Sequence, residues 1–318
     1  MITNFIRVVL RYGRKEPGLF GKCNAYFGTV ETQGRGTLHC HMLVWLTGHL
    51  APQTLRDTLV LSEEYRKKLV TWLESIIQCE PFDIRLVGSE SRAENLLADL
   101  PSRDEMRTKD FADVSIFPKI SSLSDDEFSV RYRERVNSIV AKFNWHTHTP
   151  TCWKYLRKGE AKVDSNCRMR IDGTTHPETT VDTDTGSITL RRLHPWIANY
   201  NNLVIFLLQS NMDIKYIGSG DGAKALLYYI TDYITKPPLP IHAGLSALCY
   251  AIGRTGALNF VEQNENEKQY ARALTMMVNS MMAKQEIPHQ QVMAYLVGGG
   301  NHYRSHTFRT LHWAAFHR

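Results

Sequence analysis

No stretch of this sequence approaches the roughly 20 uninterrupted apolar residues that a membrane span requires. The short apolar run after Met1 is broken by Arg7, so a secretory leader is not expected either. Cysteine is sparse. Cys23, Cys40, Cys79, Cys152, Cys167 and Cys249 lack the dense, regular spacing of a disulfide scaffold. A reducing intracellular compartment is expected, where cysteines close to histidines read as metal ligands before disulfides. A dominant charge is missing too: 38 Lys+Arg against 32 Asp+Glu leave a net +6, compatible with a polyanionic partner but too small to establish one. Internal repeats and low-complexity tails are absent. The remainder, 43% hydrophobic and 22% charged over 318 residues, suits one large globular domain or two ordinary ones.

Periodicity divides the chain into short elements. Ile2 to Tyr12 carries apolar residues at helical spacing. Asn24 to Thr32 and Leu38 to Leu46 read as strands joined by a turn through Gly34, Arg35 and Gly36, which predicts a hairpin. Pro52 to Ile77 has a helical pattern, and Leu96 to Phe143 mixes loop with helix. Thr179 to Arg192 predicts a second hairpin turning near Asp184, Thr185 and Gly186. Leu203 to Ile217 is apolar and strand-like towards its end, which would place Asn211, Asp213 and Lys215 on one strand face. Ala223 to Thr235 predicts a helix stopped by Pro237 and Pro238. Helices are expected again about Ala271 to Lys284 and His289 to Val297, before a Gly298-Gly299-Gly300 break.

Three constellations can carry chemistry. In GRGTLHCHMLVWL, His39 and His41 alternate on a predicted strand, so both imidazoles point the same way and can share one divalent cation. Glu31 and Gln33 alternate likewise on the partner strand, and either can reach across as an oxygen ligand. In ALLYYITDYITKPP, Tyr229, Tyr233 and Lys236 are four and three residues apart, which lines two phenols and an ammonium group along one helical stripe. Tyr228, off that stripe, is expected to pack in the core. A phenol with a pKa near 10 is a weak nucleophile until a metal polarises its target and a cation offsets the developing charge. Finally, His146, His148, Cys152 and Cys167 form an H-x-H-x3-C-x14-C array beside Lys154, Arg157, Lys158, Arg168 and Arg170. Four nitrogen and sulfur donors suit tetrahedral, structural zinc, although the spacing matches no standard finger.

GSGDGAK, Gly218 to Lys224, precedes a helix as a phosphate loop does, but it lacks the four-residue gap and the Ser/Thr of a Walker A motif. Its amides and Lys224 remain candidates for holding a phosphate. Arg35, Arg168, Arg191, Arg192, Asn211, Asp213 and Lys215 complete the set of candidate contacts, which the resemblance described next would assign to DNA.

His-hydrophobe-His followed by Tyr-x3-Tyr-x2-Lys resembles the HUH endonucleases and, within them, the Helitron replication-initiator domain; Cys40 takes the hydrophobe's place. The likeness extends through GLFGKCNAYFGTVETQGRGTLHCHMLVWL, CWKY, CRMR, NMDIKYIGSGDGAKALLYYITDYITK and QQVMAYLVGGGNHYRSHTF. It implies an α+β fold: a central antiparallel sheet flanked by helices, here lacking its first strand. It places an HUH-like domain at 1–240 with an inserted Cys/His-rich basic segment at about 145–170, and a helical region at 241–318 leading towards an absent helicase domain. It also implies Tyr229 and Tyr233 as nucleophiles, Lys236 as a phosphate-side helper, and His39 and His41 with Gln33 or Glu31 as ligands of Mg²⁺ or Mn²⁺. The partner would be single-stranded DNA, nicked through a 5′-phosphotyrosine link in rolling-circle-type transposition, in the nucleus. The alternative is a catalytically silent DNA-binding remnant of such a transposase.

Overall fold

The computed structural model describes residues 1–32, 37–82, 101–106, 122–235, 241–255, 267–283, 289–298 and 300–307. It is mixed helix and strand, with an antiparallel sheet and flanking helices, as an α+β fold requires. The chain forms two compact units: residues 1–22 with 48–226, and residues 23–47 with 227–318.

The first unit opens with α1 (Ile2–Asn4), which widens into a π-helical turn over Phe5–Val9. Val9 and Leu10 are buried there, and the chain returns against them: the Leu19 amide donates to the Val9 carbonyl at 2.9 Å. The helical stretch expected over Pro52 to Ile77 is two helices, α2 (Pro52–Leu61) and α3 (Glu63–Ile76). Ser62 explains the break. Its backbone is extended, and its hydroxyl accepts the Tyr65 amide at 3.2 Å, an N-cap that outcompetes continuation of α2. Pro52 starts α2, where its missing N–H costs nothing. Leu55, Leu59 and Leu73 are fully buried.

Helix α4 (Asp125–Ile139) begins with a reciprocal capping box. The Glu127 amide donates to Ser124 Oγ at 3.3 Å, and the Ser124 amide donates to Glu127 Oε2 at 3.0 Å. A π-helical turn, Val140–Asn144, extends it. Val136, Ile139, Val140 and Ala141 then pack with Met106, Ile197, Tyr200 and Ile205 to make the main core. The second hairpin forms where expected, with β3 (Thr180–Val181) antiparallel to β4 (Ile188–Thr189).

Residues after Leu203 depart from the expectation. Asn202–Leu208 is a helix, α5, capped by the Asn201 side chain and stopped by Gln209 in a left-handed conformation. Residues 211–218 form no strand, so no strand face gathers Asn211, Asp213 and Lys215. The apolar run is too continuous to reveal a strand's alternation, and a short buried helix satisfies it equally well. Helix α6 (Gly220–Thr235) follows.

The second unit holds β1 (Cys23–Thr32) and β2 (Leu38–Leu46), the end of α6, and α7 (Ile241–Thr255), α8 (Glu267–Ala283) and α9 (His289–Leu296). It ends with β5 (His302–Arg304), which pairs antiparallel with β1, so the sheet order is β2-β1-β5. This third strand, about 270 residues from its partner, carries no hairpin signal and is not anticipated from the sequence.

Candidate functional site

The β1–β2 register decides which side chains share a face. His41 lies opposite Thr29, and His39 opposite Glu31. Directly opposed residues of an antiparallel pair point the same way, so Glu31, His39 and His41 share one face, as alternation requires. The two imidazole rings meet edge to face with centroids 4.7 Å apart. Glu31 Oε1 lies 3.1 Å from His41 Nε2, with the His41 side chain only 11% exposed and that of Glu31 31%. Cys40 points to the opposite face, against Gly28. Burial pushes its thiol up to about 11, as suits a neutral packing group on the face away from the histidines.

Gln33 and Arg35 lie outside the described residues, as does Lys236. Tyr229 and Tyr233 fall on the last turns of α6, their side chains outside the described part of the structure. Tyr228 is 78% exposed and not packed in the core as expected; an amphipathic helix reads its faces from neighbours that the local spacing does not name. The compact unit that contains the histidine hairpin also contains residues 227–235 of α6.

The other candidate contacts have varied surroundings. Arg191 is held by two carboxylates, with Nη1 3.3 Å from Glu74 and Nη2 3.1 Å from Glu80. Arg192 donates to the Ile197 carbonyl at 2.9 Å and to Asn199 Oδ1 at 3.2 Å. Both guanidinium groups thus tie loops of the first unit together. Lys215 pairs with Asp213 at 3.0 Å and Lys224 with Asp221 at 3.1 Å, all at the surface. Arg168 sits over the ring of Tyr155, 5.4 Å from its centroid.

His146, His148, Cys152 and Cys167 come together. Among the described residues they are the one group of three or more His, Cys, Asp or Glu donors gathered tightly enough for a single ion, with all ligand atoms within 4.8 Å of one another. His146 Nε2 lies 3.2 Å from His148 Nδ1, 3.8 Å from Cys152 Sγ and 3.4 Å from Cys167 Sγ. Bonds of about 2.0–2.3 Å in a tetrahedron put donors about 3.3–3.8 Å apart. The separations from His146 are close to that spacing and every donor pair lies within 4.8 Å, so the cluster could hold a metal ion.

Local structure builds it. Trp145 bridges to Ile197, and the His146 amide donates to the Trp196 carbonyl at 2.7 Å, which anchors the first ligands to the core. Pro150 starts a 3₁₀ turn, Pro150–Trp153, that brings Cys152 back to the histidines. The Arg168 amide donates to the Cys152 carbonyl at 3.1 Å and closes the loop on Cys167. Burial lowers His146, with the neighbouring His148 charge adding to it, which favours the neutral ring that a metal ligand requires. Burial raises the Cys152 thiol, but the Thr149 amide, His148 and Cys167 together bring it below the ordinary thiol value. Burial pushes Cys167 up, opposed by amides of Met169 and Ile171 that face its sulfur. Beyond the donors, His148 Nε2 is 3.0 Å from Asp164 Oδ1, close enough for a charge contact though without hydrogen-bond alignment. A carboxylate behind a ligating histidine is a recurrent support of metal centres.

No helix among the described residues is long and apolar enough to cross a membrane. Neither a curated protein nor a solved structure matches the chain. A family model, the Helitron helicase-like domain at the N-terminus, matches residues 1–44, a stretch that runs from α1 through β1 and includes Glu31, His39 and His41. Over that stretch the chain is similar to the Helitron helicase-like N-terminal domain.

Proposed function

We propose that this chain nicks single-stranded DNA and rejoins it through a tyrosine, as the strand-transfer step of rolling-circle-type transposition. The observation that carries the reading is the face made by His39, His41 and Glu31, with the carboxylate 3.1 Å from His41, inside the segment similar to Helitron proteins. His39, His41 and Glu31, or Gln33, would hold a hard divalent cation such as Mg²⁺ or Mn²⁺, which when bound polarises a phosphodiester. In the step itself a phenolate oxygen of Tyr229 or Tyr233 attacks phosphorus, and the bond to the 3′-oxygen breaks. That oxygen takes a proton and leaves as a 3′-hydroxyl, while the phosphate stays joined to the 5′-carbon and the tyrosine. Lys236 would offset the charge that builds on the phosphate. The covalent link conserves the phosphodiester bond energy, so rejoining needs no nucleotide. The His/Cys cluster takes structural zinc, the ion that a closed N₂S₂ donor set prefers.

The test incubates the full chain with single-stranded DNA and Mn²⁺ and looks for an adduct that survives SDS. The adduct is expected with the intact chain and lost in Tyr229→Phe, Tyr233→Phe or the pair. No adduct from the intact chain overturns nicking. A second reading, a non-catalytic DNA-binding protein, is favoured by the closely gathered donors of the His/Cys cluster, and salt-dependent binding without an adduct would select it.

A further inference from the structure

We propose that residues 153–170, the loop closed by the His/Cys cluster, form a gripping surface for single-stranded DNA, with Tyr155 as a stacking platform for a base and Lys154 and Arg168 as its phosphate partners. The proposal rests on the single-strand reading above and extends it from Arg168, already a candidate contact, to Tyr155 and the loop around it; it holds whether or not the strand is cut.

Two independent observations carry it. The first is the ring. Tyr155 is 69% exposed, although a loop this polar offers no reason to present an aromatic to water. Lys154 Nζ and Arg168 Cζ lie over the ring, 5.6 Å and 5.4 Å from its centroid. An exposed ring with two cations over it suits an unstacked base, which takes the π-face as the cations move to its adjoining phosphates. A duplex, whose bases are already stacked, cannot use it.

The second observation is the charge. Lys154, Arg157, Lys158, Lys162, Arg168 and Arg170 face two acids, Glu160 and Asp164, so this short loop concentrates most of the net +6 of the chain. All six cations are exposed. The acids are occupied: Glu160 accepts the Arg157 amide at 2.8 Å, and Asp164 lies against His148. Cys152 and Cys167 are buried beneath, next in sequence to Trp153 and Arg168, so the clasp fixes both ends of the basic surface. A loop with so few buried apolar groups keeps a defined shape only through such a clasp.

The experiment measures anisotropy of labelled oligo-dT, a duplex of equal length and an abasic single strand, each with zinc-loaded full-length protein. Tyr155→Ala is expected to weaken oligo-dT binding roughly 5- to 100-fold, the effect of losing one stacked base. It should leave the abasic strand unaffected, and Tyr155→Phe should bind as wild type. Replacing Lys154 and Arg168 by Gln should weaken all single strands and lower the salt slope by about 1.4. Zinc content equal to wild type shows that the variants keep the clasp. Wild-type affinity of Tyr155→Ala for oligo-dT, or an equal loss on the abasic strand, overturns the proposal. An intact chain without an SDS-stable adduct whose oligo-dT binding still depends on Tyr155 removes nicking alone; an adduct with Tyr155-independent binding removes this surface alone.

Discussion

Removing the metal, or one of its ligands, should cost this protein a defined amount of stability. Cys152 and Cys167 bracket a 14-residue loop, and His146 and His148 tie its base to the core through Trp145 and the Trp196 carbonyl. A cross-link closing a loop of about 15 residues stabilises by about 3 kcal/mol. An ion bound by four donors acts as such a link, provided that the unfolded chain holds it weakly. For domains of about 150–250 residues each kcal/mol moves Tm by roughly 2–4 °C, so chelation should lower the first unit's Tm by about 6–12 °C. The assay is thermal unfolding of zinc-loaded and chelator-treated protein, with bound metal measured directly. Co²⁺ replacing zinc should give the visible bands of a tetrahedral N₂S₂ site, and Cys167→Ser should abolish or shift them. Protein purified in zinc that carries no stoichiometric ion, or a Tm unchanged by its removal, refutes the reasoning.

Two further outcomes follow from the first unit. Arg191→Met should lower stability by roughly 1–3 kcal/mol, because it leaves Glu74 and Glu80 without their shared cation, while oligo-dT affinity stays at wild type; lost affinity at unchanged Tm would make Arg191 a DNA contact instead. His194 is 5% exposed, accepts the Trp196 amide on Nδ1 at 3.1 Å, and burial with Arg192 nearby lowers it from 6.5 to about 4. Its neutral form is the folded one. Its contribution is therefore complete above about pH 6.5 and is lost as the pH falls towards 4, where the unfolded chain binds the extra proton. At about 1.4 kcal/mol per pH decade this reaches at most about 3 kcal/mol, and somewhat less with partial hydration. The pH dependence of urea unfolding, wild type minus His194→Gln, checks it; parallel curves between pH 6.5 and 4 would show that His194 does not carry the effect.

Much of the local structure was written in short-range pattern. Alternation placed β1 and β2 to within a residue, and Pro52, Ser124 with Glu127, and Gly186 mark ends and turns for reasons that act over three or four residues. The same-face placement of His39, His41 and Glu31 followed from strand geometry alone. Failures came where the deciding partner is remote. β5 pairs with β1 across most of the chain, and nothing in NHYRSHTF announces a strand. The run after Leu203 became α5 because Asn201 caps it and Tyr200 anchors its start in the core, Tyr200 hydroxyl donating to the Glu80 carbonyl at 2.7 Å. Arg191 looked like a free surface cation because Glu74 and Glu80 lie more than a hundred residues away.

The metal cluster shows why spacing alone was an incomplete guide. H-x-H-x3-C reads as three donors because a strand-like pair and a 3₁₀ turn can return them to one point within seven residues. The fourth donor, with fourteen residues intervening, could close anywhere, and a basic loop without apolar anchors supplies no reason to close at all. What fixes Cys167 is a set of amide contacts that sequence does not display: Arg168 to the Cys152 carbonyl, and Met169 and Ile171 towards the Cys167 sulfur. The Met169 and Ile171 amides also lower the cost of placing negative charge on the Cys167 thiol, as the Thr149 amide does for Cys152. The clasp and the basic loop therefore depend on each other. The loop's cations would repel one another if its ends were free to be ordered by apolar packing alone, and an ion held at its neck would replace that missing core with four short bonds. A chain that retained the cations but lost Cys152 or Cys167 should keep its net charge and lose the shaped surface, so its single-strand binding would fall while its pI stayed almost the same.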